Sequence, residues 1–391
     1  MVKFTVEKKN IESATSLLNV VAGLKSVGAT PSESSGITLT PGIVMLSNMN
    51  ESNGIFISSI PIAVTEGEIA SHLESTYMVN SKKLDSIVRG SGKEVVFSIM
   101  EDKIIIGEGK RVYELALYKV PRKEIPETQE LGHTVVLDKV LVNMSNSDAV
   151  TKNIINRADL AGTMFTAGGM LASDKISALH IKNSNLFENA EHQDMIITTD
   201  LFAACASKIK QANAMPAITT DGKRFVLLFD NIVLCKSIRT EKFPIVGIRT
   251  AISKSQEALD GKVPNITAKI SVSDFNNKLK EIRSIVESEE YILELNPTHI
   301  SIKSSNSQQG TGGEEIVDAE VKFSGIEIPS IASKFSFVHL ELIGKLYSAK
   351  EDIVLIARIE GIEGIGKKPV ISSIAIMGEE QSFVFLPKSS V

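Results

Sequence analysis

Several times along this chain, a short stretch of alternating apolar and polar residues runs directly into a segment whose apolar residues recur every three or four positions. "VKFTVEKKNIESATSLLNVVAG" opens near residue 2, "HTVVLDKVLVNMSNSDAV" near 133 and "TAKISVSDFNNKLKEIRSIV" near 267. Each reads as a strand followed by an amphipathic helix. The starts lie about 130 residues apart, which points to three related units. A second pattern, strand, helix and then a run of strands, recurs with the first. It is carried by "TYMVNSKKLDSIVRGSGKEVVFSIMEDKIIIGEGKRVYELALY", by "DMIITTDLFAACASKIKQANAMPAITTDGKRFVLLFDNIVLCKSI", and by "KFSFVHLELIGKLYSAKEDIVLIARI" with "PVISSIAIMGEEQSFVFLP".

The helical stripes indicate which faces turn inward. They are Ile11, Ala14, Leu17, Leu18 and Val21 over 11–21, Leu84, Ile87 and Val88 over 81–89, and Phe275, Leu279, Ile282 and Val286 over 273–286. Such faces need a sheet to cover, and the neighbouring strands supply one. The pattern predicts an α+β fold of three repeated domains, 1–128, 129–255 and 256–391, each with two helices packed on antiparallel sheets. Polar, Pro-containing junctions are expected at 120–132 and 249–265, and "SSNSQQGTGGEE" (304–315) reads as a flexible hairpin loop.

Composition narrows the class. At 391 residues, 43% hydrophobic and 23% charged, the chain has the profile of folded domains rather than disorder. With no Trp, the cores must be built from Ile, Val, Leu and Ala. The N-terminus starts as a strand, without a basic-then-apolar leader, and the longest apolar runs are too short to span a membrane. A cytoplasmic location with no membrane partner is therefore expected, in a bacterium or in a phage's host. Cys205 and Cys235 are the only cysteines, giving neither a disulfide framework nor a CxxC site, and both are expected as buried free thiols.

The segment "EGIEGIGKKP" tests whether nucleotide chemistry is present. Gly361, Gly366 and Lys367 reproduce most of the phosphate-loop pattern G-x-x-x-x-G-K-[ST], but Lys368 stands where the magnesium-binding hydroxyl belongs. Pro369 and the β-branched "VISSIAIM" follow, so the segment joins two strands and opens no helix onto which phosphates could dock. The six histidines are scattered without a second His or Cys at metal-ligand spacing, and no G-x-S-x-G elbow occurs. His339, beside Leu340 and Leu342, reads as a packing or surface residue. No catalytic residue, metal site or cofactor is expected, and the chain is read as a non-enzyme.

Charge is more informative. A net charge of −5 and a pI of about 5.8 argue against a generally basic surface. Yet projecting the helices places Lys82, Arg89, Lys139, Lys210, Lys280, Arg283 and Lys345 opposite the apolar stripes, with Lys25 following the first helix. Exposed helix faces commonly carry lysine for solubility. Repetition in all three units favours a helix-lined basic surface that holds duplex phosphates without reading bases. No aromatics interleave with these lysines, so base stacking is not indicated.

Three units of this kind, in this order, resemble the bacterial DNA polymerase III beta subunit, the DNA sliding clamp. The most specific pieces are "MVKFTVEKKNIESATSLLNVV", the "STYMVNSKKLDS…" segment, "RFVLLFDNIVLCKSIRTEKFP" with its Phe-Pro turn, and the closing "SFVFLP". The resemblance implies a head-to-tail ring of two chains with helices lining the hole. Such a ring is a non-enzymatic processivity factor that encircles duplex DNA, tethers the replicative polymerase and is opened by a clamp loader. It also implies a partner-peptide pocket at Ser173, Lys175, Ile176 and Ala178 of "ASDKISAL", with Pro244, Ile248 and Arg249 after the Phe-Pro turn and Val384, Leu386 and Pro387 at the C-terminus. The family's Thr-Asp-Gly-His-Arg-Leu stretch is altered here at Gly, His and Arg, and the tail continues as "KSSV" rather than ending in Met-Arg-Leu. Altered pocket chemistry is therefore expected, suited to a dedicated polymerase such as a phage's. The competing expectation is a clamp-fold interaction protein that binds polymerase or loader components without encircling DNA.

Overall fold

The strand Val2–Glu7 buries Val2, Phe4 and Val6 and leaves the residues between them partly open, as a period of two requires. It runs without a loop into the helix Lys8–Ala22, which buries Ile11, Ala14, Leu17, Leu18 and Val21, the stripe read from the sequence. The structure is a computed structural model. It describes residues 1–24, 32–49, 53–125, 135–136, 146–147, 149–151, 162–166, 169–182, 195–198, 200–201, 204–205, 207, 211, 217–220, 223–239, 243–306, 308–361 and 368–388.

The chain divides into two compact units: Met1–Ser145 with Asn189–Thr240, and Asn146–Glu188 with Glu241–Val391. The strand pairings whose register is defined are all antiparallel, in keeping with the expected α+β class. In the first unit, a five-stranded sheet runs in the order Ala63–Glu66, Val2–Glu7, Glu94–Ile99, Lys103–Glu108, Arg111–Ala116. Phe4 and Phe97 stack at 5.2 Å on its inner face. The helix Ser81–Gly90 packs against Lys8–Ala22 and is capped by Asn80, whose side chain accepts from the Lys83 amide at 3.0 Å.

The second unit repeats this order. The strand Asn265–Ser271 enters the helix Val272–Ile285, capped by Ser271 and burying Phe275, Leu279 and Ile282. Further strands lead to Ile331–Ser336 and the helix Phe337–Leu346, which packs against Val272–Ile285. A four-stranded sheet runs Thr311–Asp318, His299–Asn306, Glu290–Leu295, Ile331–Ser336. The Gly/Ser/Gln stretch forms the turn and the facing strand ends of that sheet's hairpin, and Asn306 pairs with Thr311.

Two pairings join segments far apart in sequence. In the first unit Asn53–Pro61 pairs with Ile232–Ser237, from Ile57↔Ile232 to Asn53↔Lys236. In the second unit Ser177–Lys182 pairs with Gln381–Phe385. Sheets therefore run on from one repeat to the next, and strands that would otherwise be open edges are covered.

The segment 249–265, expected as a polar junction, differs most from expectation: the helix Ile245–Leu259 occupies most of it. Its buried residues are only Ile248, Ser255 and Ala258, a narrow face of mainly small side chains that gives little hydrophobic periodicity. That face packs on a sheet through a cluster of Ala258, Ile356, Ala375 and Val384. The near-match to a phosphate loop lies between Asp352–Glu360 and Val370–Met377, an antiparallel pair, and residues 362–367 of it fall outside the described residues. Cys205 and Cys235 are both buried free thiols, and burial pushes Cys205 up to about 12. No helix among the described residues is long and apolar enough to cross a membrane.

Candidate functional site

The turn "SDKIS" connects Gly169–Ser173 to Ser177–Lys182, and one carboxylate organises it. Asp174 Oδ1 accepts from the amides of Ile176 (3.0 Å) and Ser177 (2.6 Å) and from Ser177 Oγ (2.9 Å). Ser173 Oγ donates to the Ser177 carbonyl at 2.7 Å and accepts from the Lys175 amide at 3.2 Å. On the far side, His339 Nε2 donates to Asp174 Oδ2 at 2.8 Å, tying the turn to the helix Phe337–Leu346. His339 is buried and its Nδ1 has no partner among the described residues. Of the two sequence expectations for His339, packing is the one met. Burial works against charge on Asp174, but the bond and charge of His339 and the two Ser177 bonds outweigh it, and its carboxyl lies below its ordinary value.

The turn forms one wall of a cavity of about 320 Å³ within the second unit. The helix Ile245–Leu259 forms another wall through Gly247, Ile248 and Ala251 with Pro244 just before it, and Val384 of the strand Gln381–Phe385 and Leu386 just after it complete the lining. Leu386 is held by its amide, which donates to the Ile176 carbonyl at 2.9 Å. Val384, Ala178 and Ile248 are buried, whereas Ile176 and Leu386 each stand 40% exposed at the mouth. Eight of the ten residues assigned to a pocket from sequence therefore line one cavity: Ser173, Lys175, Ile176, Ala178, Pro244, Ile248, Val384 and Leu386. Arg249, exposed on the helix, and Pro387, half-buried after the strand, are not in its lining. Sequence reasoning missed Ser177, Gly247 and Ala251. Ala251 was hidden by the reading of 249–265 as a junction.

The basic helix faces are less uniform than the projection suggests. In the first unit, Asp85 is buried between the two helices and accepts from Thr15, Ser16 and Asn19. Arg89 pairs with this carboxylate at 3.0 Å, so its charge is matched inside the cluster. Lys82 is exposed, with no ion-pair partner among the described residues. In the second unit Lys280 is likewise exposed and unpaired among the described residues. Arg283 lies 4.5 Å over the Phe337 ring and donates to the Ser288 carbonyl, and Lys345 pairs with Glu341 at 2.7 Å. Lys25, Lys139 and Lys210 lie outside the described residues.

A larger groove of about 870 Å³ lies in the first unit, beside the ends of the helices Lys8–Ala22 and Ser81–Gly90 and the edge strand Arg111–Ala116. Val112 and Tyr113 on that strand are 49% and 46% exposed. In the second unit the edge strand Thr311–Asp318 leaves Ile316 52% exposed.

By sequence the chain matches no protein-family model and no curated protein. By structure it is similar to bacterial sliding clamps over its whole length. The Caulobacter crescentus beta sliding clamp shares 12% identity at a TM-score of 0.76, with 99% of each chain covered. The DNA polymerase III beta subunits of Borrelia burgdorferi and Thermotoga maritima match over 100% of each chain, at 12% identity and TM-score 0.78, and 14% and 0.73. This chain has the beta sliding clamp fold.

Proposed function

We propose that this chain is a divergent member of the beta-clamp family acting as a DNA sliding clamp. Two copies close head to tail into a ring that encircles duplex DNA and tethers a DNA polymerase, and the ring itself catalyses no reaction. The observation that carries this reading is the likeness to clamps along essentially the full length of both chains, rather than over a shared module. The repeated order of strands and helices in the first and last thirds supports three domains, 1–128, 129–255 and 256–391.

Two of the sheet-edge strands suit ring closure. Arg111–Ala116 ends one sheet and Thr311–Asp318 another, and both carry exposed apolar residues. An edge of one copy pairing with the other edge of the second is a heterologous contact, and two such contacts close a dimer ring. Lys82, Lys280 and Arg283 would face the DNA, joined by Lys25, Lys139 and Lys210. Few, sequence-neutral phosphate contacts suit a protein that must slide. The apolar cavity around Ser173, Ile248 and Leu386 would receive a short peptide from the polymerase and, in turn, from the clamp loader. The protein would act in the cytoplasm, without a cofactor.

Retention on closed circular DNA, with release after a single linearising cut, tests encirclement. Equal retention on both forms would overturn it. A second reading, a clamp-fold protein that binds polymerase or loader components without encircling DNA, is favoured by the pairing of Arg89 and Lys345 with carboxylates. That pairing thins the basic surface. Peptide or loader binding with no retention on circular DNA would establish it.

A further inference from the structure

The cavity of the second unit has a chemical asymmetry. Its lining is apolar apart from two serine hydroxyls and one ammonium, that of Lys175, and it includes no carboxylate. Asp174 is adjacent, but its oxygens are occupied by Ser177, Ile176 and His339. Arg249, exposed on the adjoining helix, adds charge of the same sign nearby, while Lys388 beyond Leu386 is matched by Glu290 at 3.1 Å. Lys175 is exposed and has no ion-pair partner among the described residues.

Its backbone is unusual too. Lys175 stands at φ 82°, in the left-handed region that glycine enters freely and a side chain enters only against steric opposition. The Asp174 network over-determines the turn and holds the lysine there. Local strain of this kind, fixed by surrounding bonds at the rim of a cavity, is a pointer to function. The side chain at this position is what a glycine could not supply.

We infer that Lys175 is a specificity-determining residue, and that the cavity takes a short extended peptide whose apolar anchor is flanked by an aspartate or glutamate. The anchor would fill the space between Ile176, Ile248 and Leu386, and the carboxylate would meet the Lys175 ammonium at the mouth. The complementarity is between a carboxylate-free rim and an acidic ligand, so an anchor flanked by lysine is disfavoured. This inference rests on the reading of the cavity as a peptide site.

The test uses the full chain and three labelled hexapeptides that share a paired-leucine anchor preceded by Asp, Asn or Lys, followed by fluorescence anisotropy. The Asp peptide is expected to bind about three- to fivefold tighter than the Asn peptide, the range of a solvent-exposed ion pair, and the Lys peptide more weakly than either. The gap should close in high salt, reverse in Lys175→Glu and vanish in Lys175→Gly, which the left-handed backbone accepts without refolding. Equal affinities for the three peptides on the unmodified chain would overturn the assignment of Lys175 while leaving the peptide site standing. Binding unaffected by Leu386→Ala would put the peptides elsewhere and overturn it as well. If none of the three binds, the peptide-site reading falls with it. Peptide binding that weakens as protein concentration rises would assign the cavity to a second copy of the chain.

Discussion

Replacing Asp174 with alanine removes one acceptor group from four donors at once. The affected bonds are those from the Ile176 amide, the Ser177 amide, Ser177 Oγ and His339 Nε2, at 3.0, 2.6, 2.9 and 2.8 Å. They are not equivalent. Ile176 is exposed and its amide can turn to water, and a hydroxyl can rotate towards another acceptor. Ser177 and His339 are 3% and 5% exposed, so the Ser177 amide and the imidazole N–H are left buried without a partner. Each such donor costs about 1–3 kcal/mol, and removing a half-buried carboxylate returns part of that, which leaves about 3 kcal/mol. A chain of two compact units does not license a single unfolding free energy, so the effect is read locally. Hydrogen exchange at the Ser177 amide should accelerate about a hundredfold, the equivalent of ~3 kcal/mol. His339→Leu should cost less alone, and the double variant less than the sum, because the two share one bond. The network also has a pH limb. Because the Asp174 carboxyl lies below its ordinary 3.8 when folded, its contribution is complete above that value and is lost as pH falls beneath it. Asp174→Ala should lack this limb. Ser177 protection within about twofold of the unmodified chain, or strict additivity of the two substitutions, would refute the claim that this carboxylate organises the turn.

Other sites give further expectations. Leu386→Ala, at a side chain 40% exposed, should change stability by less than about 1 kcal/mol yet weaken peptide binding about tenfold, as titration calorimetry can measure. Lys82→Glu combined with Lys280→Glu should leave the melting curve almost unmoved and reduce retention on DNA. The slope of log affinity against log salt should fall by about 0.9 for each phosphate that is no longer neutralised, and unchanged retention would remove these lysines from the DNA face. Lys236 is almost fully buried, donating to Asp200 at 2.6 Å and to Asn53. Lys236→Met leaves Asp200 without that partner and should cost about 2 kcal/mol in urea denaturation of the first unit, whereas no loss would mean the pair is replaceable by packing.

The sequence made some levels of this structure readable and concealed others. Local periodicity located the helices Lys8–Ala22, Ser81–Gly90 and Val272–Ile285 to within a few residues, because each buries a stripe that includes large apolar side chains. The helix Ile245–Leu259 buries Ser255 and Ala258 where the others bury Leu and Ile, and it escaped for that reason. Strand alternation reveals which face is buried but not which strand lies alongside, so the pairing of Asn53–Pro61 with Ile232–Ser237 had no signature. Much of the cavity lining was accessible only through motif resemblance. The His339–Asp174 bond that fixes its rim spans 165 residues and was invisible.

The basic surface shows most clearly where projection alone falls short. Both matched cations had an acidic neighbour four residues earlier on the same helix, Asp85 before Arg89 and Glu341 before Lys345, and that spacing was present in the sequence. Counting lysines opposite an apolar stripe ignores such partners and overstates the field. Of the five assigned cations that are described, Lys82, Lys280 and Arg283 have no carboxylate partner among the described residues. A surface so thinly charged, on a chain with a net charge of −5, would hold DNA weakly by electrostatics alone. If the protein nevertheless stays on circular DNA at salt concentrations that strip ordinary phosphate binders, the hold is topological, and a sparse inner face is what free sliding requires. If moderate salt releases it from circles and linear fragments alike, the few cations are the whole of its grip and the ring does not close.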